Sequence, residues 1–351
     1  MKPFRLRVRG ALASICLLSG GAWSQVVTEF AIPSAGSFPA GITAGPGGNL
    51  WFAEQGSGGG GSGGGIGRIT PLGVVTEFKA GVVAGFSAGA QPWAVTAGAD
   101  GNLWFTDLNL SRIGRITPTG VVTEFTTGIP AGALLYGIAA GPDGNLWYTD
   151  SNYFGIGRIS PAGIVSTEFS SGINGAGLKG IAAGPDGNLW FTESTKIGRI
   201  TTAGVVTEFD ICCTTPSPGA YGIAAGPDGN LWFSEAAALN IPPPIGRITT
   251  AGVVSEFSTG TSIGAFPTGI TAGPDGNLWF AEQGGNSIGR ITPAGVIDEF
   301  SAGIAPGAAP FGITAGPDGN LWFTELSGNR IGRITTGAVG DVIFVDGFDG
   351  P

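Results

Sequence analysis

The chain repeats one unit seven times between Gly41 and Gly337. Each unit reads close to G-I-x-A-G-P-D-G-N-L-W-F-T-E and, after a variable gap, I-G-R-I-T-x-x-G-V-V-T-E-F. The units begin at Gly41, Ala94, Gly137, Gly180, Gly222, Gly269 and Gly312. A spacing of about 42 to 53 residues is typical of propeller blades or helical arrays. Because such a unit cannot bury its apolar faces alone, the repeat predicts an architecture in which neighbouring units pack on one another.

Four short β-like runs, which we name strands A to D, alternate with turns in each unit. The runs are G-I-x-A, N-L-W-F-T-E, I-G-R-I-T and V-V-T-E-F, and they are rich in aromatic and β-branched residues. P-D-G-N between A and B, and a glycine between C and D, supply turn conformations. No segment has a helical period. Since radial stacking buries both faces of four-stranded sheets, we predict an all-β fold, a seven-bladed β-propeller with four antiparallel strands per blade.

The two ends of the repeat array predict how the ring closes. Unit seven reaches I-G-R-I-T at residues 331–335 and has no T-E-F run after it, whereas V-V-T-E-F at residues 26–30 stands alone before unit one. We therefore predict that the N-terminal strand completes blade seven, which removes an exposed sheet edge. The segment V-I-F at residues 342–344 is the alternative closing strand, with a poorer match to the repeat.

Residues 1–24 have the pattern of a secretory signal peptide. Four basic residues precede a short apolar run at residues 11–19, and a small-x-small cleavage site follows at its end. The apolar run is too short to span a bilayer. We therefore expect a signal peptide (1–24), a propeller (25–339) and a C-terminal tail (340–351), in a secreted or periplasmic protein.

The chain is acidic after the signal peptide. All 25 Asp and Glu lie there, and removal of four basic residues with the signal peptide takes the net charge from −9 to −13. Such a surface repels nucleic acid and anionic lipid, so we expect neither as a partner, and no membrane insertion. We expect a monomer whose partner is a small molecule, a glycan or a protein. The adjacent Cys212 and Cys213 fit no zinc site; a vicinal disulfide, pairing with another chain and buried thiols all stay open.

Most chemically capable side chains occupy repeat positions. The tryptophan on strand B of every unit is interpreted as core, rather than as a row of sugar-stacking rings. The I-G-R arginines and T-E-F glutamates recur equally, and we interpret them as ladder pairs between strands. One G-x-S-x-G run, at residues 85–89, has no helix after it, and the chain contains no histidine to act as a base. We therefore expect no hydrolase site.

The connections that vary in length all fall on one face. D–A and B–C connections share a face of an up-and-down blade, and they include the variable residues 55–65 and 236–244. Binding belongs on this face, and unconstrained drift of loops is the alternative. The residue before strand A should line the mouth of the central channel. We predict a ligand site there, with hydrophobic plugging of the channel as the alternative. Its residues are Trp93, Tyr136, Lys179, Tyr221, Thr268 and Phe311, with Ala40 at the seventh position.

The repeat resembles the streptogramin B lyase (virginiamycin B lyase) family over roughly residues 26–338. The shared motifs are G-P-D-G-N-L-W-F-T-E and I-G-R-I-T-P-x-G-V-V-T-E-F. The resemblance implies a seven-bladed propeller that opens a cyclic depsipeptide by magnesium-assisted elimination. It also implies histidines in P-H-G-I or P-H-A-I at the starts of the last two complete units, and a glutamate after the final W-F strand. Those positions hold Thr268 in P-T-G-I, Phe311 in P-F-G-I, and Leu326.

Each catalytic residue that the family pattern implies is thus replaced. We therefore expect a non-catalytic binding protein, a pseudoenzyme with no catalytic residue, no metal and no cofactor. The alternative is a magnesium-dependent carbon–oxygen lyase with a relocated site, in which carboxylates hold Mg²⁺ and Lys179 or a tyrosine is the base.

Overall fold

The computed structural model describes residues 25–57, 62–166, 168–211, 219–236 and 241–336. The predicted signal peptide, Cys212 and Cys213, and the predicted C-terminal tail lie outside the described residues. The described part is made of strands, loops and one 3-10 turn, Pro46–Gly48. No helix in these ranges has the length and hydropathy that a membrane span requires.

The described residues form 27 strands in seven sheets. The first strand is β1 (Val27–Ala31). Blade one contains β2 (Pro39–Gly45), β3 (Asn49–Ser57), β4 (Ser62–Ile69) and β5 (Val75–Lys79). Blade two contains β6 (Pro92–Ala97), β7 (Leu103–Asp107), β8 (Arg112–Ile116) and β9 (Val122–Phe125). Blade three contains β10 (Leu135–Ala140), β11 (Leu146–Asp150) and β12 (Gly155–Ile159).

Blades four to seven continue the same order. Blade four contains β13 (Ile181–Ala183), β14 (Leu189–Thr192), β15 (Lys196–Ile200) and β16 (Val206–Asp210). Blade five contains β17 (Gly219–Ala225), β18 (Leu231–Ala236), β19 (Ile245–Ile248) and β20 (Val254–Phe257). Blade six contains β21 (Pro267–Ala272), β22 (Leu278–Glu282), β23 (Ser287–Ile291) and β24 (Ile297–Phe300). Blade seven contains β25 (Pro310–Ala315), β26 (Leu321–Glu325) and β27 (Arg330–Ile334), which β1 joins.

Each sheet is antiparallel, and the seven sheets form a ring. The first strand of every blade packs against the first strand of the next, so these seven strands surround the central axis. In blade three the fourth position is held by two isolated bridges, Ile156 with Phe169 and Ile159 with Val165. The sequence has one more residue there than in the other units. The predicted all-β, seven-bladed propeller is confirmed.

The N-terminal strand closes the ring, as predicted. β1 pairs antiparallel with β27, with Val27 opposite Ile334 and Phe30 opposite Ile331. Phe30 stacks on Trp322 with ring centroids 5.4 Å apart, as the D-strand phenylalanine of every other blade stacks on its own tryptophan. β1 therefore supplies both the hydrogen bonds and the aromatic ring that unit seven lacks.

The strand-B tryptophans are core residues, also as predicted. All seven are fully buried, and each lies beneath the guanidinium of the I-G-R arginine of its blade. Arg115, for example, lies 5.5 Å from the Trp104 ring and donates to the carbonyl of Pro161 in the next blade, at 3.1 Å. Six of the seven arginines join neighbouring blades in this way, whereas Arg290 pairs with Asp298 of its own blade.

The predicted ladder pairs between these arginines and the T-E-F glutamates are wrong. Arg115 lies opposite Thr123 in the β8–β9 ladder, whereas Glu124 lies opposite Gly114. Successive residues of a strand point to opposite faces of the sheet, so the arginine and the glutamate cannot meet. Glu124 instead accepts hydrogen bonds from the backbone and the hydroxyl of Ser87, in the loop that enters the same blade.

Candidate binding site at the mouth of the central channel

We call the residue before strand A of each blade its rim residue. A β-bulge at the start of the innermost strand sets the direction of this side chain. In blade two, Pro92 pairs with Asp107 and Val95 with Phe105, so Trp93 and Ala94 together oppose the single Thr106. Five further blades show the same shift in register. Bulges of this kind re-aim side chains and are common at barrel rims and next to active sites. The sequence signal for the bulge is the short run before strand A, most often P-x-G-I.

Hydrogen bonds between blades fix the backbone of the rim. The hydroxyl of Thr149 accepts from the Gly137 amide of its own blade and donates to the Lys179 carbonyl of the next, both at 2.8 Å. Thr106, Thr192, Ser234 and Thr324 do the same in four other blades. The blades also approach closely, because a Cβ on Gly222 would lie 2.5 Å from the carbonyl oxygen of Thr268. The rim is therefore a rigid platform for its side chains.

Four aromatic side chains form a continuous set of edge-to-face contacts across the mouth. Trp93 contacts Tyr136 at 5.5 Å and Phe311 at 5.3 Å, and Phe311 contacts Tyr221 at 5.6 Å between ring centroids. The contact between Trp93 and Phe311 passes blade one, whose rim residue is the small Ala40. A cavity of about 210 Å³ lies here, lined by these four rings, by Lys179 and by glycine and aliphatic residues of the innermost strands.

Lys179 is the cation of this cavity. Its Nζ lies 4.4 Å from the centroid of the Tyr221 ring, a cation–π contact. Burial lowers the pKa of Lys179 from its usual value, and no carboxylate acts on it. Burial, and to a smaller extent Tyr136, raises the pKa of Tyr221, so its hydroxyl stays protonated. The site therefore offers an ammonium group and the neutral phenol of Tyr221 beside flat apolar walls.

Five of the six predicted site residues come together, and Thr268 is placed differently. Trp93, Tyr136, Lys179, Tyr221 and Phe311 all line the cavity. Thr268 is fully buried, and its hydroxyl donates to the Phe311 carbonyl at 2.8 Å. The aligned channel positions thus do not all present their side chains to the channel.

Magnesium chemistry of the kind that the resemblance implies does not fit these residues. The hydroxyl of Thr268 is directed at backbone carbonyls, Phe311 offers only a ring packed against Trp93, and Leu326 is apolar. Within residues 25–57, 62–166, 168–211, 219–236 and 241–336, no three Asp, Glu, Cys or His side chains are grouped as metal ligands. Thr268, Phe311 and Leu326 therefore supply neither a carboxylate nor an imidazole to Mg²⁺ at the positions that the resemblance implies.

Sequence reasoning missed a ring of buried carboxylates just outside the rim. The acid that ends strand B is buried in every blade: Glu54, Asp107, Asp150, Glu193, Glu235, Glu282 and Glu325. Burial raises the pKa of Glu235, Glu282 and Glu325 to about 8. The sequence signal for these acids was their position at the end of the apolar run W-F-T-E. In the structure this run is buried at every residue of β7, β11 and β26.

These acids differ in their cationic neighbours. In blades one, two, four and seven a cation lies next to both the strand-B acid and the T-E-F glutamate of the blade. These cations are Lys79, Arg112, Lys196 and Arg330. In blades three, five and six the residue before I-G-R is Gly155, Pro244 or Ser287 instead. Burial raises the pKa of Glu235 and Glu282 to about 8, so these two acids need no cation near neutral pH, and we interpret the ring as structural.

Comparison with known families agrees with the motifs and the fold. The sequence model of the virginiamycin B lyase family matches residues 22–131, 63–212 and 129–344, which together span most of the chain. The chain belongs to the virginiamycin B lyase family. Comparison with curated proteins gives no significant match.

Solved structures of the virginiamycin B lyase family superpose on nearly the whole chain. A streptogramin B lyase has 33% identity and a TM-score of 0.78, and the match covers 90% of this chain and 99% of the other. Virginiamycin B lyase from Staphylococcus aureus, with selenomethionine, has 35% identity and a TM-score of 0.77, with coverage of 89% and 99%. A catalytically inactive histidine-to-alanine variant of that enzyme, solved with quinupristin, has 36% identity, a TM-score of 0.77 and the same coverage.

Proposed function

We propose that this chain is a non-catalytic member of its family that binds a small ligand at the mouth of the central channel. The observation that carries the proposal is the absence of histidine from all 351 residues. In the S. aureus relative, a variant with one histidine replaced by alanine is catalytically inactive and was solved with quinupristin. The loss of catalytic histidine is therefore compatible with a binding function.

The mouth supports binding of a small molecule better than binding of a glycan or a protein. Its cavity of about 210 Å³ is lined by Trp93, Tyr136, Tyr221, Phe311 and one lysine, together with glycine and aliphatic residues of the innermost strands. Concave sites with aromatic walls and a few converging polar groups are typical of small-molecule binding. The signal-peptide pattern of residues 1–24 supports a secreted or periplasmic location.

The test of the non-catalytic proposal is a lyase assay. Purified protein is incubated with quinupristin and Mg²⁺, and ring opening is followed by mass spectrometry, with the S. aureus enzyme as the positive control. We expect no linear product above the protein-free blank. Ring opening well above that blank would overturn the proposal.

A second candidate function, a lyase with Lys179 as its base, is favoured by one observation. Burial lowers the pKa of this lysine, which makes its neutral amine more accessible. The same assay on Lys179→Met tests this candidate. Product formed by the wild type and lost in the variant would support it, and no product from the wild type would eliminate it.

The binding proposal is tested separately by a screen of small molecules, glycans and peptides. For any ligand found, we expect Trp93→Ala to weaken binding several-fold, because stacking on one ring contributes about 1 kcal/mol. The matched control is Tyr153→Ala, which removes an aromatic ring that is 46% exposed in the B–C loop of blade three and does not line the cavity. Equal affinity of Trp93→Ala and the wild type would place the site elsewhere.

A further inference from the structure

We propose that the channel mouth is a receptor for the carboxylate of a small, flat monoanion, with the Lys179 ammonium as the group that binds it. This inference rests on the proposed function and names the chemical class of its ligand. It is carried by the arrangement of Lys179, Tyr136 and Tyr221 around one cavity, opposite Trp93 and Phe311.

Lys179 stands out among the cations of the described residues. The other eleven Lys and Arg side chains in those ranges each have a carboxylate or a backbone carbonyl as a partner. Lys179 has only the ring of Tyr221, at 4.4 Å. A half-buried ammonium group without a counterion is costly, so an anion that enters the cavity gains a charge-assisted hydrogen bond that no protein group supplies.

The polar and apolar groups lie on opposite arcs of the rim. Tyr136, Lys179 and Tyr221 belong to consecutive blades three, four and five, whereas Phe311 and Trp93 belong to blades seven and two. The ring of Tyr136 is held by its contact with Trp93, and the ring of Tyr221 by its contact with Phe311. Phenol hydroxyls and an ammonium group that line one cavity can donate to the oxygens of a carboxylate. The rings of the opposite arc can stack on an apolar body.

The cavity has room for one ring and its carboxylate. A cavity of about 150 Å³ lined by apolar side chains binds benzene in another protein, and the cavity here measures about 210 Å³. A single lysine neutralises one negative charge, so a phosphate dianion would retain an unpaired charge among aromatic rings. These two quantities, volume and charge, favour an aromatic or cyclic monocarboxylate.

The experiment compares phenylacetate with phenylacetamide, which has the same shape and no charge. Affinities are measured by calorimetry, and a change in tryptophan fluorescence is assigned to Trp93 by its loss in Trp93→Ala. We expect the wild type to bind phenylacetate about tenfold more tightly than the amide, the effect of one charge-assisted hydrogen bond. Lys179→Met should remove this preference, so that phenylacetate and phenylacetamide bind equally, and Lys179→Arg should retain part of it.

Lys196→Met is the matched control. It removes the same charge from the same blade, at a lysine that pairs with Glu208 outside the cavity, and we expect it to keep the full preference. Equal binding of phenylacetate and phenylacetamide by the wild type would overturn the inference, as would a preference that survives in Lys179→Met or a failure to bind phenylacetate at millimolar concentration. A third outcome separates this inference from the proposed function. If the wild type binds both probes equally and Trp93→Ala weakens both, small-molecule binding at the mouth stands, and only the preference for an anion is refuted.

Discussion

The buried hydroxyl of Thr268 donates a hydrogen bond to the backbone carbonyl of Phe311 in the next blade, at 2.8 Å. In five other blades the corresponding carbonyl receives its hydrogen bond from a threonine or serine of strand B. Blade six has Ala281 at that strand-B position. Thr268 therefore supplies from strand A the donor that strand B lacks, and the hydrogen bond between blades six and seven is kept.

Replacement of Thr268 by valine should destabilise the ring. Thr268→Val keeps the shape of the side chain and leaves the buried Phe311 carbonyl without this donor, which should lower the free energy of unfolding by about 1 to 3 kcal/mol. Urea denaturation measures the change. The double variant Thr268→Val with Ala281→Thr restores a hydroxyl at the strand-B position and should recover part of the loss. An unchanged midpoint in the single variant would show that this hydrogen bond does not matter.

Removal of residues 25–31 should lower the melting temperature sharply. The deletion takes away β1, which exposes the edge of β27 and removes the Phe30 ring from Trp322. Loss of this partly buried strand and its hydrogen bonds should reduce the free energy of unfolding by about 3 kcal/mol. Circular dichroism gives the melting temperature, and deletion of residues 340–351 serves as the comparison. If the tail deletion proved the more harmful of the two, the role assigned to β1 would be wrong.

The buried acids predict a loss of stability at alkaline pH. Burial is the main cause that raises the pKa of Glu235 and Glu282 from 4.5 to about 8. The folded state therefore holds these protons more tightly than the unfolded state. Their contribution to stability is complete below about pH 4.5 and is lost as the pH rises through about 8. We expect the melting temperature to fall between about pH 6 and pH 9.

A substitution isolates this pH effect. Glu235→Gln removes the titrating group. Between about pH 6 and pH 9 the free energy of unfolding should therefore fall by about 1 kcal/mol less in this variant than in the wild type. Asp210→Asn is the control, because it removes one negative charge from a side chain that is 88% exposed. A slope that is equally reduced by both variants would attribute the effect to net charge rather than to burial.

The turn aspartates should matter for stability in acid. The Asp228 carboxylate accepts hydrogen bonds from the Trp232 indole at 3.0 Å and from Asn230. Burial acts to raise the pKa of Asp228, but these hydrogen bonds outweigh it, and the pKa is lowered. Stability from this group is therefore present above the unfolded pKa, near 4, and is lost as the pH falls through the lower folded value.

Asp228→Ala should lower the free energy of unfolding by about 1 to 3 kcal/mol at neutral pH, because it leaves the buried indole N–H of Trp232 without an acceptor. Blade one shows this state naturally, since Gly47 replaces the aspartate and the buried Trp51 Nε1 has no partner. Chemical denaturation at neutral pH and at about pH 3 measures the effect. A loss of the same size at both pH values would contradict the role of the carboxylate charge.

The sequence predicted the blades and their order because those features are local. The turn P-D-G-N, the repeated strand-B tryptophan and the period of about 42 to 53 residues all act within one unit, and the orphan run at residues 26–30 identified the closing strand. The sequence also located the rim of the channel, since the residue before strand A has the same place in every repeat. Of the rim residues, Trp93, Tyr136, Lys179, Tyr221 and Phe311 do share one cavity.

The tertiary structure alone decided how side chains meet across and between blades. Arg115 and Glu124 occupy opposite faces because the register sets Glu124 one position away from the arginine's partner. Trp93 reaches Phe311 past blade one because Ala40 leaves space, and Thr268 turns inward because Ala281 leaves a carbonyl without a donor. The repeated sequence motif by itself thus determined the number of blades, their order and the closure of the ring. The contacts at its centre depend on the sizes and donors of residues far apart in the chain, which only the closed ring brings within a few ångströms of one another.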